Sequence, residues 1–241
     1  VTLTFSEPVT DFSSAADITA QNGTLTGMTS LDNGITWTGT FTPSISLESL
    51  SNVLTLSTNY TDLAGNSGPS ATSPNYAIDT IPPTVVSFTI SDISLTVGET
   101  ATVTLTFSES VTGFSSAADI NAVNGTLSVM ESSEAGKIWT GTFTPSINLE
   151  SLSNVLTLAA TYTDIAGNSG PSATSPNYAI DTLLTDNGVS YTYTIKPGTT
   201  TDVIITGTTA GTSLSGDIVI PSTFAISGTV YSVKEIGTDA F

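Results

Sequence analysis

The feature that most constrains the fold is an internal duplication. Residues 1–80 align with residues 103–182 at a constant offset of 102 without gaps, and about four positions in five are identical. Residues 71–80 recur unchanged as residues 173–182. Self-similarity at a fixed period is typical of arrays built from one repeated unit. The duplication therefore favours a modular array over a single globular enzyme.

One complete period covers residues 81–182 and contains several short runs rich in valine, isoleucine, threonine and aromatic residues. Apolar and polar residues alternate in residues 103–107 and 139–143, which points one face of each strand inward. About seven short strands in about 100 residues predict a two-sheet antiparallel sandwich. We also expect one helical turn in residues 148–154. The predicted strands lie near residues 85–91, 101–107, 119–123, 126–130, 138–143, 155–162 and 177–181.

The predicted fold class is all-β, with tandem immunoglobulin-like β-sandwiches followed by a C-terminal β-rich module. Residues 1–80 form a repeat that lacks its first strand, because nothing before Val1 matches residues 85–91, and we expect an exposed sheet edge there. Residues 81–182 form a complete repeat. Residues 183–241 have no counterpart upstream and carry further strand-like runs. The chain is expected to be a segment of a longer array.

Charge and missing residue types exclude several function classes. The formal net charge is −18, with three lysines and no arginine, so a nucleic-acid backbone or an anionic membrane surface would be repelled. The absence of cysteine and histidine excludes disulfides, zinc sites of the usual kind and Ser-His catalysis. No apolar run approaches the roughly 20 residues that span a bilayer. We therefore expect neither an enzyme nor a membrane-inserted segment.

Several motifs occur in the same order in both repeats and carry a resemblance to a known family. The repeats resemble bacterial immunoglobulin-like domains of giant adhesins and other repetitive surface proteins. The resemblance implies an extracellular stalk or adhesive array on a bacterial surface or in a secreted protein, often stiffened by calcium. It also implies neighbouring repeats as partners, and a host or surface protein or glycan bound through modules outside this segment. The motifs lie at residues 78–83, 106–111, 124–127, 139–145 and 162–168.

The tail carries a second resemblance. Residues 183–241 are similar to the opening of BspA-like leucine-rich repeats, in which each repeat adds a strand to a solenoid. Only the first such unit is present, so the tail alone is not expected to build a solenoid. The matching residues are 188–191, 203–207, 218–222 and 233–241.

Acidic residues are predicted to converge where the chain enters the second repeat. In an immunoglobulin-like sandwich the relevant loops share the end at which the preceding repeat arrives. These loops carry Glu109, Asp119, and Asp164 with Asn168, and the arriving linker carries Asp79. Clustered carboxylates raise each other's pKa values, and Ca²⁺, which accepts about six to eight oxygen ligands, relieves the repulsion. The sequence therefore predicts a calcium site at the junction, with calcium as the only cofactor.

The same residues also fit plainer roles. Residues 164–168 fit a tight turn closed by an Asx hydrogen bond, which is compatible with a ligand role. Glu109 and Asp119 also fit ordinary solvated loop acids. A weaker, incomplete equivalent of the site is predicted in the first repeat, where the preceding linker aspartate is missing: Glu7, Asp17, Asp62 and Asn66.

Two functions from different classes follow from these patterns. The first is a non-enzymatic structural stalk or adhesin segment, rigidified by calcium at the interdomain junction. The alternative is an accessory carbohydrate-binding module of a secreted polysaccharide-active enzyme, which would use exposed aromatic rings such as Trp37 and Trp139. The alternating strands around both tryptophans favour core packing instead. Binding of glycans through these indoles would distinguish the two functions.

Overall fold

The computed structural model describes residues 1–186, 188–209 and 219–241. Ile218, the first residue of the matching stretch 218–222 in the tail, lies outside the described residues. The chain forms two compact units, Val1–Pro82 and Pro83–Phe241. The first unit holds the first repeat, and the second unit holds the second repeat together with the C-terminal module. The boundary falls between two consecutive prolines, whose rings fix φ and stiffen the connection.

The first repeat is built from short strands and one helical turn. The elements are β1 (Thr2–Thr4), β2 (Val9–Thr10), α1 (Ser14–Asp17), β3 (Ile18–Ala20), β4 (Gly23–Leu25), β5 (Thr29–Ser30), β6 (Thr36–Thr38), β7 (Phe41–Pro43), β8 (Glu48–Asn52), β9 (Leu54–Leu56), β10 (Thr61–Asp62), β11 (Ala71–Thr72) and β12 (Tyr76–Asp79). Strand β1 pairs with β6, and the opposite face is made by the pairs β9–β3, β9–β11 and β8–β12. All of these pairs are antiparallel.

The second repeat follows a similar order of elements, with two additional strands before the counterpart of β1. It also has a 3-10 turn and one continuous strand in the place of β6 and β7. The elements are β13 (Val85–Ile90), β14 (Ser94–Thr96), β15 (Ala101–Phe107), β16 (Val111–Thr112), α2 (Ser116–Asp119), β17 (Ile120–Ala122), β18 (Gly125–Leu127), β19 (Glu131–Ser133), a 3-10 turn (Glu134–Gly136), β20 (Ile138–Pro145), β21 (Glu150–Asn154), β22 (Leu156–Leu158), β23 (Thr163–Asp164), β24 (Ala173–Thr174) and β25 (Tyr178–Asp181).

The two faces of the second repeat form a β-sandwich. One sheet runs β13-β15-β20-β18 with β19 also on β20, and the opposite side is made by β14-β25-β21 and β17-β22-β24. In β15 the alternating residues Val103, Leu105 and Phe107 are fully buried, because side chains along a strand point alternately to its two faces. They pack in one core with Leu156 and Tyr178 from the opposite side. The all-β prediction is confirmed.

The predicted helical turn in residues 148–154 is wrong. Glu150–Asn154 is strand β21, which pairs antiparallel with β25. Asn154 is 5% exposed and its side-chain amide donates to Tyr178 O at 3.0 Å. Pairing with a distant strand therefore decides the conformation of this stretch over its local sequence preference.

The strands of the C-terminal module are β26 (Leu184–Asp186), β27 (Val189–Ile195), β28 (Asp202–Thr208), β29 (Thr223–Ile226) and β30 (Thr229–Ile236). They form a five-stranded sheet of the order β26-β27-β28-β30-β29. Its pairs are antiparallel except for β28 and β30, which are parallel. Two ion pairs join side chains of this module, Lys196–Glu235 at 3.7 Å and Lys234–Asp202 at 3.8 Å.

The C-terminal module is joined to the second repeat by specific contacts. Val97 of the repeat is 3% exposed and packs in the core of the module. The Tyr231 hydroxyl donates to Val97 O at 2.8 Å. The Asn148 side chain donates to Tyr193 O and accepts from Tyr193 N, both at 2.8 Å. The side-chain amide thus satisfies both backbone groups of Tyr193, which lies beyond the end of the pairing between β27 and β26.

Candidate metal centre

Asp164 closes a tight turn at the end of β23. Its Oδ1 accepts hydrogen bonds from Gly167 N at 2.7 Å and Asn168 N at 2.9 Å, and its Oδ2 accepts one from Asn168 Nδ2 at 2.7 Å. Asp164 is 1% exposed. Gly167 has φ of 98°, a conformation that side chains rarely adopt. The Asx-type turn is therefore present, and it fixes the position of a buried carboxylate.

Glu109 lies close to this buried carboxylate. A carboxylate oxygen of Glu109 lies within 4.8 Å of one of Asp164. Glu109 is half-buried. At Ca²⁺–oxygen distances of about 2.4 Å, two ligands on opposite sides of one ion lie about 4.8 Å apart. The spacing therefore suits a shared hard cation, which would offset the repulsion between two like charges.

The chain enters the second repeat immediately beside Glu109. The Thr84 N–H donates to Ser108 Oγ at 2.9 Å, and the Ser108 N–H donates to Thr84 O at 2.9 Å. This double contact ties the arriving strand to the residue that precedes Glu109. The sequence analysis did not single out Ser108 for this contact, although Ser108 lies next to the predicted ligand Glu109.

Asp119 has a different environment from the one predicted for a ligand. It ends the helical turn α2, and the next strand begins only at Ile120. Its Oδ2 accepts from Ser115 N at 2.6 Å and its Oδ1 accepts from the Thr161 hydroxyl. Asp119 is 5% exposed and is not part of the group formed by Glu109 and Asp164. Both oxygens are thus occupied in joining α2 to the loop before β23.

Asp79 lies in the first unit, at the end of β12. It stands opposite Glu48 in the antiparallel pair, and its Oδ1 accepts from Ile81 N at 3.1 Å. The equivalent Asp181 has the same local geometry, with Oδ1 accepting from Leu183 N at 3.2 Å. The repeat therefore fixes the backbone after this aspartate in the same way on both occasions.

The equivalent acids of the first repeat are less enclosed. Asp62 accepts from Asn66 N at 2.9 Å and from Asn66 Nδ2 at 2.7 Å, and this side-chain hydrogen bond lowers the pKa of Asp62. Glu7 is exposed. Asp17 is 3% exposed and accepts from Ser13 N at 2.8 Å, as its counterpart Asp119 does from Ser115. In the described part of the chain, no group of three acids includes any of these residues.

Both tryptophans are engaged in packing. Trp139 Nε1 donates to Gly136 O at 2.9 Å, and its ring packs edge-on against Phe114 at 4.7 Å. Trp37 makes the same contacts with Gly34 at 3.0 Å and Phe12 at 4.9 Å. Both side chains are half-buried, and their polar group is already used. Each indole therefore packs against the hydrophobic core of its own repeat.

Comparison with known families agrees with the two sandwiches. The profile of the bacterial Ig-like domain family matches residues 1–78 and 79–180. The chain belongs to this family. The matched stretches follow one another directly, so the bacterial Ig-like repeats are arranged in tandem. No curated protein sequence matches the chain significantly.

Two solved structures with some likeness to the chain contain proteins of very different origin. The titin domains Z1Z2 in complex with telethonin show 9% identity and a TM-score of 0.24, covering 66% of this chain and 71% of that chain. FdeC, an adhesin of Escherichia coli, shows 18% identity and a TM-score of 0.27, covering 80% of this chain. This chain spans 59% of the FdeC chain. Similarities this weak say nothing about what the present chain binds.

Among the helices in the described residues, none has the length and apolar character required to cross a membrane.

Proposed function

We propose that the chain is a non-enzymatic structural stalk or adhesin segment of a bacterial cell-surface or secreted protein. Membership of the bacterial Ig-like family in two tandem copies supports this role. The sequence has no histidine and no cysteine, which removes the most frequent general base and the thiol nucleophile. Its indoles are half-buried and held by a hydrogen bond and a phenylalanine ring, which supports a stalk over the alternative carbohydrate-binding module.

We further propose that calcium stiffens the connection between the two repeats. The observation that carries this proposal is the pair Glu109 and Asp164, whose carboxylate oxygens lie within 4.8 Å of each other. The carboxylate of Asp164 is held by the turn that follows it, so little side-chain entropy is lost when an ion binds. Carboxylate and carbonyl oxygens are the ligands that Ca²⁺ prefers, and Mg²⁺ fits less well because it demands strict octahedral geometry.

Chain connectivity supports Asp79 as a ligand from the linker. Thr84 is hydrogen-bonded to Ser108, one residue before Glu109. Asp79 precedes Thr84 by five residues, which span at most about 18 Å when extended. A ligand from the preceding repeat would couple ion binding to the angle between repeats. Extracellular sites of this kind bind calcium with Kd values of about 10⁻⁴ to 10⁻³ M.

Thermal unfolding in calcium, magnesium and EDTA tests the proposal. With a Kd of about 0.3 mM, 10 mM calcium stabilises the native state by about 2 kcal/mol, which raises Tm of the second unit by about 4–8 °C. Glu109→Gln and Asp79→Asn preserve shape and should each remove most of this increase. Asp62→Asn, which changes the equivalent turn of the first repeat, is the matched control and should leave it unchanged. An equal increase in magnesium, or an increase that survives Glu109→Gln, would contradict the proposed site.

The tail is proposed to be the start of a BspA-like leucine-rich-repeat region. Parallel pairing of β28 with β30 supports this, because a solenoid extends by adding parallel strands. Any longer form of the protein should then gain strand content by circular dichroism with each added repeat. Added residues that bring no strand content would argue against it.

A further inference from the structure

Two strands near the start and the end of the second repeat lie side by side and run in the same direction. β14 pairs parallel with β25, so that Leu95 lies opposite Ile180 and Thr96 lies opposite Asp181. Leu95 and Ile180 are both fully buried. Because the pair is parallel, the chain enters β14 at one end of the pair and leaves β25 at the other end. Tension along the chain therefore pulls β14 and β25 in opposite directions along their common axis.

Tension in this direction acts on all the hydrogen bonds of the pair together. A pull across a pair of strands breaks one hydrogen bond after another, whereas sliding along the axis requires all of them to break at once. The same pull acts along β13, which leads into β14 and pairs antiparallel with β15 over five residue pairs. The strand arrangement of the second repeat is therefore suited to resist tension.

The side-chain pattern also opposes sliding of β14. Successive side chains along a strand point to opposite faces, so a shift of one residue would place Thr96 at the core position of Leu95. A shift of two residues, about 6.6 Å, would restore the alternation but bring Val97 to that position. Val97 is 3% exposed and packs in the core of the C-terminal module. Sliding by two residues therefore requires Val97 to leave the module.

The C-terminal module holds the end of β14 by specific contacts. The Tyr231 hydroxyl donates to Val97 O at 2.8 Å, and the hydroxyls of Thr96 and Ser227 are hydrogen-bonded at 2.9 Å. Gly98 has φ of 79°, and a Cβ on this residue would lie 2.2 Å from the Tyr231 hydroxyl oxygen. The glycine therefore lets the tyrosine approach the backbone of this turn. A shift of β14 by one residue, about 3.3 Å, would break both hydrogen bonds.

We propose that the second repeat is a load-bearing clamp, made by β14 and β25, and that the docked C-terminal module locks this clamp against tension. The module follows β25 in the chain and holds the end of β14, so it joins the two strands that tension would slide apart. This inference rests on the proposed stalk role, in which tension acts along the chain. It requires no calcium ion, because none of these contacts involves Glu109 or Asp164.

Single-molecule unfolding at constant force, in EDTA, tests the proposal. The chain has no cysteine, so Thr84→Cys and Thr185→Cys, both at exposed positions, provide unique attachment points on the two sides of the repeat. Unfolding of the repeat releases at most about 360 Å of chain, which identifies the event. Forced unfolding is governed by the unfolding rate. The dependence of that rate on force should correspond to an extension of about 3.3 Å, the rise of one strand residue, before the barrier is crossed.

Two variants separate the lock from general stability. Tyr231→Phe removes the hydrogen bond to Val97 O and should speed unfolding at every force about fivefold, as expected for one hydrogen bond. Asn148→Ser is the matched control, because it removes two hydrogen bonds between the module and the loop before β21, outside the sliding strands. Asn148→Ser should cost more than Tyr231→Phe in equilibrium unfolding and leave the unfolding rate under force unchanged.

The outcomes that would overturn the proposal are specific to sliding under load. An extension of about 10 Å, which corresponds to peeling three residue pairs one after another, would overturn the clamp. Equal acceleration by both variants, or no acceleration by Tyr231→Phe, would overturn the lock. The Tm measurements in calcium are made without load, so failure of the clamp and failure of the calcium-stiffened stalk are distinguishable.

Discussion

Replacing Asp119 by alanine distinguishes a structural acid from a metal ligand. The change removes two hydrogen bonds to an ionised acceptor, from Ser115 N and from the Thr161 hydroxyl. Bonds of this kind contribute about 1.5–3 kcal/mol each. Ser115 and Thr161 are themselves exposed, so water replaces part of the loss and the lower end of the range applies. We expect Asp119→Ala to lower the free energy of unfolding by about 3 kcal/mol.

The assay is thermal and urea unfolding of the second unit, with and without calcium. For a unit of this size, about 3 kcal/mol corresponds to a fall in Tm of about 6–12 °C. The first repeat offers a matched control in Asp17→Ala. Asp17 keeps the bond from Ser13 N at 2.8 Å, but its second donor, Ser57 Oγ, lies at 3.3 Å. Asp17→Ala should therefore lower the free energy of unfolding by less, about 2 kcal/mol.

The calcium response decides the interpretation. Because Asp119 lies outside the acid group that contains Glu109 and Asp164, Asp119→Ala should lower Tm equally in calcium and in EDTA. The reasoning would be refuted if the variant retained its stability in EDTA and lost only the calcium-dependent increase. That outcome would make Asp119 a ligand, as the sequence alone predicts.

Three further changes follow from the described contacts. A Cβ on Gly170 would lie 2.1 Å from Cε2 of the buried Tyr162 ring, so Gly170→Ala should cost about 3 kcal/mol in urea unfolding. Burial raises the pKa of Tyr178 to about 12, above its ordinary value near 10. The contribution of the neutral Tyr178 side chain to the free energy of unfolding is therefore complete below about pH 10 and is lost as pH rises towards 12. In unfolding experiments, Tyr178→Phe should make the alkaline fall in the free energy of unfolding smaller. Asn148→Ser removes both bonds to the Tyr193 backbone and should cost about 2 kcal/mol, with faster exchange of the Tyr193 N–H.

Alternation of apolar residues made the sandwich predictable from the sequence. Strand β15 was predicted with its observed bounds, Ala101–Phe107, because buried valine, leucine and phenylalanine alternate with threonine. The bounds of β15 depend on a local alternation pattern, which is visible without a structure.

Features that depend on distant partners were not predictable in the same way. β21 has no regular alternation, and Leu152 within it is 75% exposed, so only its pairing with β25 makes it a strand. Asp119 looked like a loop acid because its donors, Ser115 and Thr161, are brought together by folding. In the candidate site, the closeness of Glu109 to Asp164 was anticipated from topology. The domain boundaries, the ligand set and the calcium ion stay predictions that the experiments above test.

The contact between Asn148 and the Tyr193 backbone has a consequence for how such arrays are assembled. The two repeats are nearly copies of each other, yet the position equivalent to Asn148 is Ser46 in the first repeat. A serine is too short to bridge both backbone groups of Tyr193 at 2.8 Å, as the asparagine amide does. A single residue thus fits one repeat to a particular neighbour, although the two repeats share most of their sequence. Placing the first repeat directly before the C-terminal module would remove both of these hydrogen bonds.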